Sequence, residues 1–308
     1  VDNITKDLYR RDLTMNAIAL NLLTGELLDP FNGMKDREQK MVQHVSEHFK
    51  EDPLRAYRAA VFSTRYNFEI NYTTLDLMNS LSQEIKLLSV QRVYEELKKA
   101  LKTDTPSKFF WNLKQADILD IHFPEIANLI DVPQSKQYHP EGDVFNHSMQ
   151  TLDCISCYTN DPVVRFGALV HDLGKGITPK NNLPHHYEHD KRGIEPFVHL
   201  YERLKLPNNW IKIGRLVIKQ HRRIFHWKEM GAGKLLRLLK KIKRSPITIR
   251  QIQMIVEADK LGRNTICKNC RIKKGNLYKY TDGLKKIADK VFNDITGNDI
   301  DYPEGEKL

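Results

Sequence analysis

Residues 167–176 read GALVHDLGKG, an apolar run that sets His171 beside Asp172 near its centre. Just upstream, Asp161-Pro162 has the form of a helix N-cap followed by proline at the first helical position, and Gly174 stands where that helix would close. Val164, Ala168 and His171 then share one face at spacings of four and three. A single histidine on an apolar face is ordinarily a hydrogen-bonded core residue. An adjacent aspartate changes the reading, because a buried carboxylate is costly unless it is paired or bound to a metal.

Two other stretches repeat the pattern. In GDVFNHSMQTLDCI, Asp143 can cap a helix and His147 projects one turn after Val144. In TIRQIQMIVEADKLGR, Ile252, Ile255, Val256 and Asp259 occupy i, i+3, i+4 and i+7, which puts another carboxylate on an apolar face. Three helices, each with an ionisable residue on its core side, are expected to bring those residues together. Two imidazoles and two carboxylates suit a divalent transition metal.

The order His, His-Asp, Asp resembles the HD phosphohydrolase superfamily, which implies His147, His171, Asp172 and Asp259 as the ligand set, with His171 and Asp172 at the catalytic centre. It also implies a metal that activates water toward a phosphoester. Nitrogen and oxygen ligands without thiolate suit nickel, cobalt, manganese or zinc and do not rank them. Between these pieces, LPHHYEHDKRG carries His186 and His189; they read equally as a solvated loop or as contacts to substrate phosphate or a second ion. His221 and His226 in KQHRRIFH are weaker candidates of the same kind.

Composition bounds the rest. The chain has 308 residues, a formal charge of +10, 40% hydrophobic residues and four cysteines. That is enough for two domains and a substantial core, and the basic excess points to a polyanionic partner, nucleic acid first among them. No apolar run is long enough to span a membrane and no signal peptide is visible, so a cytoplasmic protein without membrane attachment is expected. Few cysteines fit a reducing compartment. SVQRVYEELKKALK and NNWIKIGRLVIKQH show helical periodicity, whereas AIALNLLTGELLDP reads as a hairpin turning at Thr24-Gly25. Everything after FKEDPLR looks helical, with breaks at 103–107 and 131–143.

Three motifs in the first half come in a telling order: RRDLTMNAIAL at 10–20, LLDPFNGMKD at 27–36 and FKEDPLRAYRAAVFSTRYNFEI at 49–70. With SVQRVYEELKKAL after them, they resemble class II tRNA nucleotidyltransferases, the CCA-adding enzymes and their poly(A) polymerase relatives, in the bacterial form that carries an HD domain. The resemblance covers nearly the whole chain. It implies that Asp12 reads the ribose hydroxyl, with Arg11 and Asn16 holding the nucleotide, and that Asp52 and Arg55 imitate a Watson–Crick edge to incoming CTP or ATP. Arg58, one turn on, would contact phosphate. Taken alone, Asp52-Pro53 is an ordinary helix cap and Arg55 an exposed arginine; the readings are compatible if the cap keeps one oxygen free. Val61 stands where the family commonly has arginine.

The family's nucleotidyl transfer uses Mg2+ held by an Asp-x-Asp pair upstream of the Arg10-Arg11-Asp12 motif. Here the one such pair is Asp299-Ile300-Asp301, which reads as a tail segment. The expectation is a chain truncated at its N-terminus, without the polymerising carboxylates. Cys154-x-x-Cys157 and Cys267-x-x-Cys270 lie too far apart for a usual zinc ribbon.

The expected fold is therefore mainly α: the end of an α/β head over 1–35, a helical neck over 36–105, and a helical body over 106–308 whose HD-type part spans about 135–265. The expected function is CCA addition or repair on tRNA combined with metal-dependent phosphohydrolysis of a phosphomonoester or 2′,3′-cyclic phosphate. The alternatives are a stand-alone HD phosphohydrolase and a poly(A) polymerase relative. The sequence is silent on oligomeric state.

Overall fold

Helical periodicity over most of the chain becomes helix in the computed structural model, which describes residues 2–263, 278 and 280–294. The N-terminal part is the exception. After α1 (Asp2–Tyr9), β1 (Ala19–Leu20) and β2 (Leu27–Leu28) pair antiparallel across the expected hairpin, followed by α2 (Gly33–Glu38). Next, β3 (Met41–Val42) pairs in parallel with β4 (Glu69–Ile70), on the far side of α3 (Leu54–Tyr66). This corrects the expectation that only helix follows FKEDPLR: two-residue strands are too short to leave an alternating pattern. The neck closes with α4 (Tyr72–Ser80), α5 (Ser82–Lys86) and α6 (Val90–Ala100).

The body continues through α7 (Ser107–Gln115), the single turns α8 (Leu119–His122) and α9 (Pro124–Ala127), α10 (Val144–Ser156) and α11 (Pro162–Val170). It then runs through α12 (His189–Arg192), α13 (Ile194–Leu204), α14 (Asn208–Phe225), α15 (Ala232–Lys243), α16 (Ile249–Leu261) and α17 (Leu284–Asp289). The capping signals hold: Asp161 accepts from the Val163 N–H at 2.9 Å, Asp143 from the Asn146 N–H at 2.7 Å, and Thr248 forms a capping box with Gln251. α11, the most apolar of these helices, sits centrally and packs on α10, α14 and α16. Gly214 makes the α13–α14 crossing possible, since a Cβ there would lie 2.1 Å from the Phe197 ring.

The break at 103–107 is a turn rather than a gap in packing, because one hydrophobic cluster runs from Leu13 in the head to Ala288 in the body. What holds the turn is Arg165, whose side chain is fully buried. Its guanidinium donates to the carbonyls of Leu101 (2.7 Å), Thr103 (2.6 Å), Ser156 (2.9 Å) and Thr159 (2.6 Å), and to Asn160 Oδ1 (2.8 Å). One side chain thus ties the end of α6 to the ends of α10 and the start of α11. Arg165→Met preserves volume but leaves these acceptors unpaired in the interior. It should cost about 3–5 kcal/mol of unfolding free energy in urea titration, and Arg165→Lys should recover only part of it. A loss no larger than that of a surface arginine would show that the clasp is dispensable.

Candidate metal centre and nucleotide pocket

The three expected helices do converge. His147 comes from the second turn of α10, His171 and Asp172 follow the last residue of α11, and Asp259 lies in the last turn of α16. His147 Nε2 is 3.1 Å from Asp259 Oδ1 and 3.7 Å from Asp172 Oδ2, while His171 Nε2 is 3.1 Å from Asp172 Oδ2 and 3.9 Å from Asp259 Oδ1. The other oxygen of Asp172 faces a second group: His189 Nε2 at 3.2 Å and His221 Nε2 at 3.6 Å. Asp172 therefore stands between two clusters of possible ligands, His147–His171–Asp259 and His189–His221.

The tautomers decide what this arrangement can hold. Nδ1 of His171 lies 2.7 Å from the Ala168 carbonyl, that of His189 2.8 Å from the His186 carbonyl, and that of His221 3.0 Å from the Val217 carbonyl. A carbonyl only accepts, so each Nδ1 carries the proton. His147 Nδ1 is likewise 2.8 Å from the buried Glu141 Oε1. With Nδ1 so engaged, the four rings turn Nε2 toward two buried carboxylates. Acceptors facing acceptors repel unless a positive charge lies between them, and this donor set fits a divalent cation. His171 Nε2 and Asp172 Oδ1 are buried and make no hydrogen bond of acceptable geometry, as a ligand atom would.

The same field sets the titration of the groups. Burial opposes ionisation of Asp172, but His171 and Lys175 hold it well below the usual carboxylate range. Asp259 is also held well down despite burial, chiefly by Arg263. Burial pushes His171 down and the Asp172 charge more than compensates, so without a cation the site draws a proton onto that ring. Burial pushes His221 down to about 4, which leaves it neutral. Burial works against the Glu141 charge as well, yet hydrogen bonds from His139 and His147 bring it down to about 2.

Several of these residues carried no sequence signal strong enough to find them. Lys175 Nζ sits 2.6 Å from Asp172 Oδ2 and donates to Gln134 at 2.7 Å, and Arg263 is 2.9 Å from Asp259. Glu141 and His139 come from the loop before α10, where only the cap at Asp143 was legible. His186 is placed differently from His189: its nitrogens engage Thr178 Oγ1 (2.7 Å) and the Pro133 carbonyl (3.0 Å), so it braces the loop rather than joining the cluster. His226 is exposed and paired with Glu229 at 2.9 Å. Gly174 does not close an α-helix, since α11 ends at Val170 and Gly174 lies in a 3-10 turn. It is glycine because a Cβ would fall 2.0 Å from the His189 carbonyl, where α12 crosses. The cluster opens into a cleft of about 450 Å³ whose rim includes Tyr138, Tyr187, Arg222 and Phe225.

A second cavity, about 570 Å³, is lined by all six residues expected to read the nucleotide, together with Arg10, Phe62 and Arg92. Asp12 is buried and accepts from Asn16 Nδ2 (3.0 Å), the Leu13 N–H (2.9 Å) and Arg58 (2.6 Å). Asp52 accepts the Leu54 N–H at 3.1 Å just before α3, whose N-cap position falls on Pro53, and its other oxygen is not free: Arg92 of α6 holds it at 2.6 Å. Arg55 donates to the carbonyls of His48 (2.5 Å) and Arg10 (2.9 Å). Arg11 pairs with Asp7 at the surface, 2.7 Å away. Val61 is in the core, facing away from this cavity. Arg92 was invisible as a site residue because its partner lies forty residues away in the chain. Of the cysteines, Cys154 is buried, and Cys267 and Cys270 lie outside the described residues, as do Asp299 and Asp301.

Comparison with known proteins matches three stretches of the chain to family models. Residues 1–43 match the poly A polymerase head domain, 67–130 the probable RNA- and SrmB-binding site of polymerase A, and 144–263 the HD domain. A multifunctional CCA protein of Nitrosococcus oceani is 40% identical over 265 residues, covering 85% of this chain and 65% of that protein. The chain belongs to the tRNA nucleotidyltransferase and poly(A) polymerase family, in the form that carries an HD domain. It spans about two thirds of the length of that relative. The fold is shared with the Thermotoga maritima CCA-adding enzyme, solved with tRNA (TM-score 0.60, 20% identity, 98% of this chain and 66% of that one). A tRNA nucleotidyltransferase solved with a primer tRNA and an ATP analogue gives a TM-score of 0.56 at 19% identity, over 92% of this chain and 74% of that one. The mainly α architecture is thus that of the family.

The geometry around Asp172 yields a stoichiometry. Dialysis of the protein against nickel, cobalt, manganese or zinc, followed by metal analysis, should give two ions per chain with the better-suited metals. His221→Ala should retain one, and Asp172→Asn should retain neither tightly while keeping its helical circular dichroism. Two ions retained by Asp172→Asn would contradict the bridging role.

Proposed function

We propose that the protein combines the nucleotide-reading neck of a CTP- and ATP-using tRNA nucleotidyltransferase with a metal-dependent phosphohydrolase that acts at RNA 3′ ends. The hydrolytic half is carried by one observation, the four imidazole Nε2 atoms directed at Asp172 and Asp259. Divalent cations bound there would make water a better nucleophile and polarise a phosphoryl oxygen. The chain's own residues do the rest. Glu141 and three backbone carbonyls fix the imidazole tautomers, and Lys175 and Arg263 hold the two aspartates ionised. Burial of the cluster keeps competing water out, and the cleft admits a phosphoester from one side. In hydrolysis of a 2′,3′-cyclic phosphate, the water oxygen bonds to phosphorus, one ring P–O bond breaks and the departing oxygen takes the proton, leaving a phosphomonoester.

The transferase half rests on the neck pocket. Asp12, clamped by Arg58 and Asn16, presents a fixed rim for a ribose, while Arg55, held by the His48 and Arg10 carbonyls, and Asp52, held by the Leu54 N–H and Arg92, would reach a base edge by exchanging one of these contacts. A free-standing phosphohydrolase has no use for such a pocket, which disfavours that alternative. The Mg2+ required for nucleotidyl transfer is assigned to no described residue. The comparison with a multifunctional CCA protein supports CCA addition over poly(A) synthesis.

Each half has its test. The chain should open cytidine 2′,3′-cyclic phosphate in the presence of a divalent metal, and both chelator and Asp172→Ala should abolish this with the fold intact. Full activity in chelator would refute the metal-site reading. In the protein expressed from its whole gene, Arg55→Ala should disturb C-versus-A incorporation by roughly tenfold or more, equivalent to about 1–3 kcal/mol of lost hydrogen bonding, with tRNA affinity less affected. Unchanged base selectivity would reduce Arg55 to a brace for the Arg10 loop.

A further inference from the structure

Two consecutive helices, the first of which ends at the rim of the metal cleft, carry charge of one sign only. α14 holds five basic residues and no carboxylate, and so does α15. On α14, Arg215, Lys219 and Arg222–Arg223 recur at three- and four-residue spacing; on α15 and just past it, Arg237, Lys241 and Arg244 do the same. These seven side chains are exposed, and none makes an ion pair among the described residues. The partners seen for Arg215 and Arg223 are neutral, the Tyr201 hydroxyl and the Gln220 amide.

An ordinary solvated helix face mixes signs, because like charges one turn apart destabilise the helix. Partial burial and, after it, the charges of Lys219 and Arg223 on α14 push the Lys241 amine on α15 down, so the two stripes feel one another's charge. Such a concentration of uncompensated cations is unfavourable in isolation and becomes favourable against a polyanion. A lipid surface fits poorly, since none of the exposed large hydrophobic side chains lies on α14 or α15 and there is nothing to insert. The stripe has a direction too. It runs along α14 into Arg222 and Phe225, both on the rim of the cleft, next to His221 in the cluster.

Resting on the phosphohydrolase reading above, we propose that α14 and α15 form an RNA-binding ridge that feeds a 3′ end into the metal cleft, so that its substrate is a polynucleotide rather than a free nucleotide. Backbone phosphates lie along the ridge, the terminal phosphoester reaches Asp172, and the tyrosines at the rim, 61% and 64% exposed at Tyr138 and Tyr187, lie beside the last base.

The test compares two substrates on the metal-loaded protein: an RNA dodecamer ending in a 2′,3′-cyclic phosphate, and cytidine 2′,3′-cyclic phosphate. The Lys219→Glu/Lys241→Glu variant should lose about tenfold or more in kcat/KM for the dodecamer at low salt while leaving the mononucleotide within about twofold. Independently of catalysis, fluorescence anisotropy of the labelled dodecamer should show the slope of log affinity against log salt shrinking by about 1.4 in Lys219→Ala/Lys241→Ala, two phosphate contacts on a single strand. Equal loss on both substrates, or loss on neither, would overturn the ridge. So would binding to phosphatidylserine–phosphatidylcholine vesicles with no affinity for the dodecamer. Absence of mononucleotide hydrolysis by the unaltered protein with every metal would instead refute the phosphohydrolase reading, with the anisotropy slope still reporting on the ridge.

Discussion

Asp172 carries a negative charge at 2% exposure, and the body of the protein is built around compensating it. Helices α10, α12 and α14 and the turn after α11 each deliver an imidazole to within 4 Å of this carboxylate or of its partner Asp259 on α16. The demand reaches into the backbone. Gly174 exists so that α12 can cross close enough to place His189. Three carbonyls give up a hydrogen-bonding lone pair to orient rings, and a loop glutamate is held ionised to orient the fourth. Imidazoles fixed in this way turn Nε2 to the aspartates, where either a proton or a divalent cation meets the negative charge, and the nitrogen and oxygen donors suit the cation.

The neck solves the same problem oppositely. Asp12 is nearly as buried, yet its oxygens receive an amide, a backbone N–H and a guanidinium, all donors. That carboxylate is closed: its charge is met by protein, and it serves as a rigid edge rather than a ligand. Asp52 follows suit, half engaged by the Leu54 N–H and half by Arg92. The two cavities therefore differ less in composition than in which atoms carry protons. A pocket rimmed by arginines favours a polyphosphate nucleotide, whereas a pocket floored by lone pairs favours a metal.

Neck and body are joined by another buried charge. Arg165 reaches from α11 to the chain segment that leaves α6, so the arginine-lined neck cavity and the histidine-lined cleft belong to one packed unit with one continuous core. Along the outside, the cations of α14 and α15 leave the body strongly basic beside the cleft. Interior charges are thus met by specific partners, whereas the stripe of α14 and α15 has no ion-pair partner among the described residues, a concentration of charge that attracts polyanions.

The sequence by itself determined the helical class, the caps at Asp143 and Asp161, and the convergence of His147, His171, Asp172 and Asp259, because periodicity and capping are local and a carboxylate on an apolar helix face stands out at any distance. Asp12, Asp52 and Arg55 are singled out only by resemblance to a known family, and the fold brings them to one cavity. Tertiary structure alone decided what lies beyond local reach. The parallel pairing of β3 with β4 spans too few residues to show a period. His189 separates from His186 because one ring turns its Nδ1 to a neighbouring carbonyl and faces Asp172, while the other spends both nitrogens on its loop. Arg92, Lys175, Glu141 and Arg165 are ordinary polar residues of helices and turns in one dimension. Their roles come from partners that only the packing of distant segments supplies, where low dielectric makes each unpaired charge decisive.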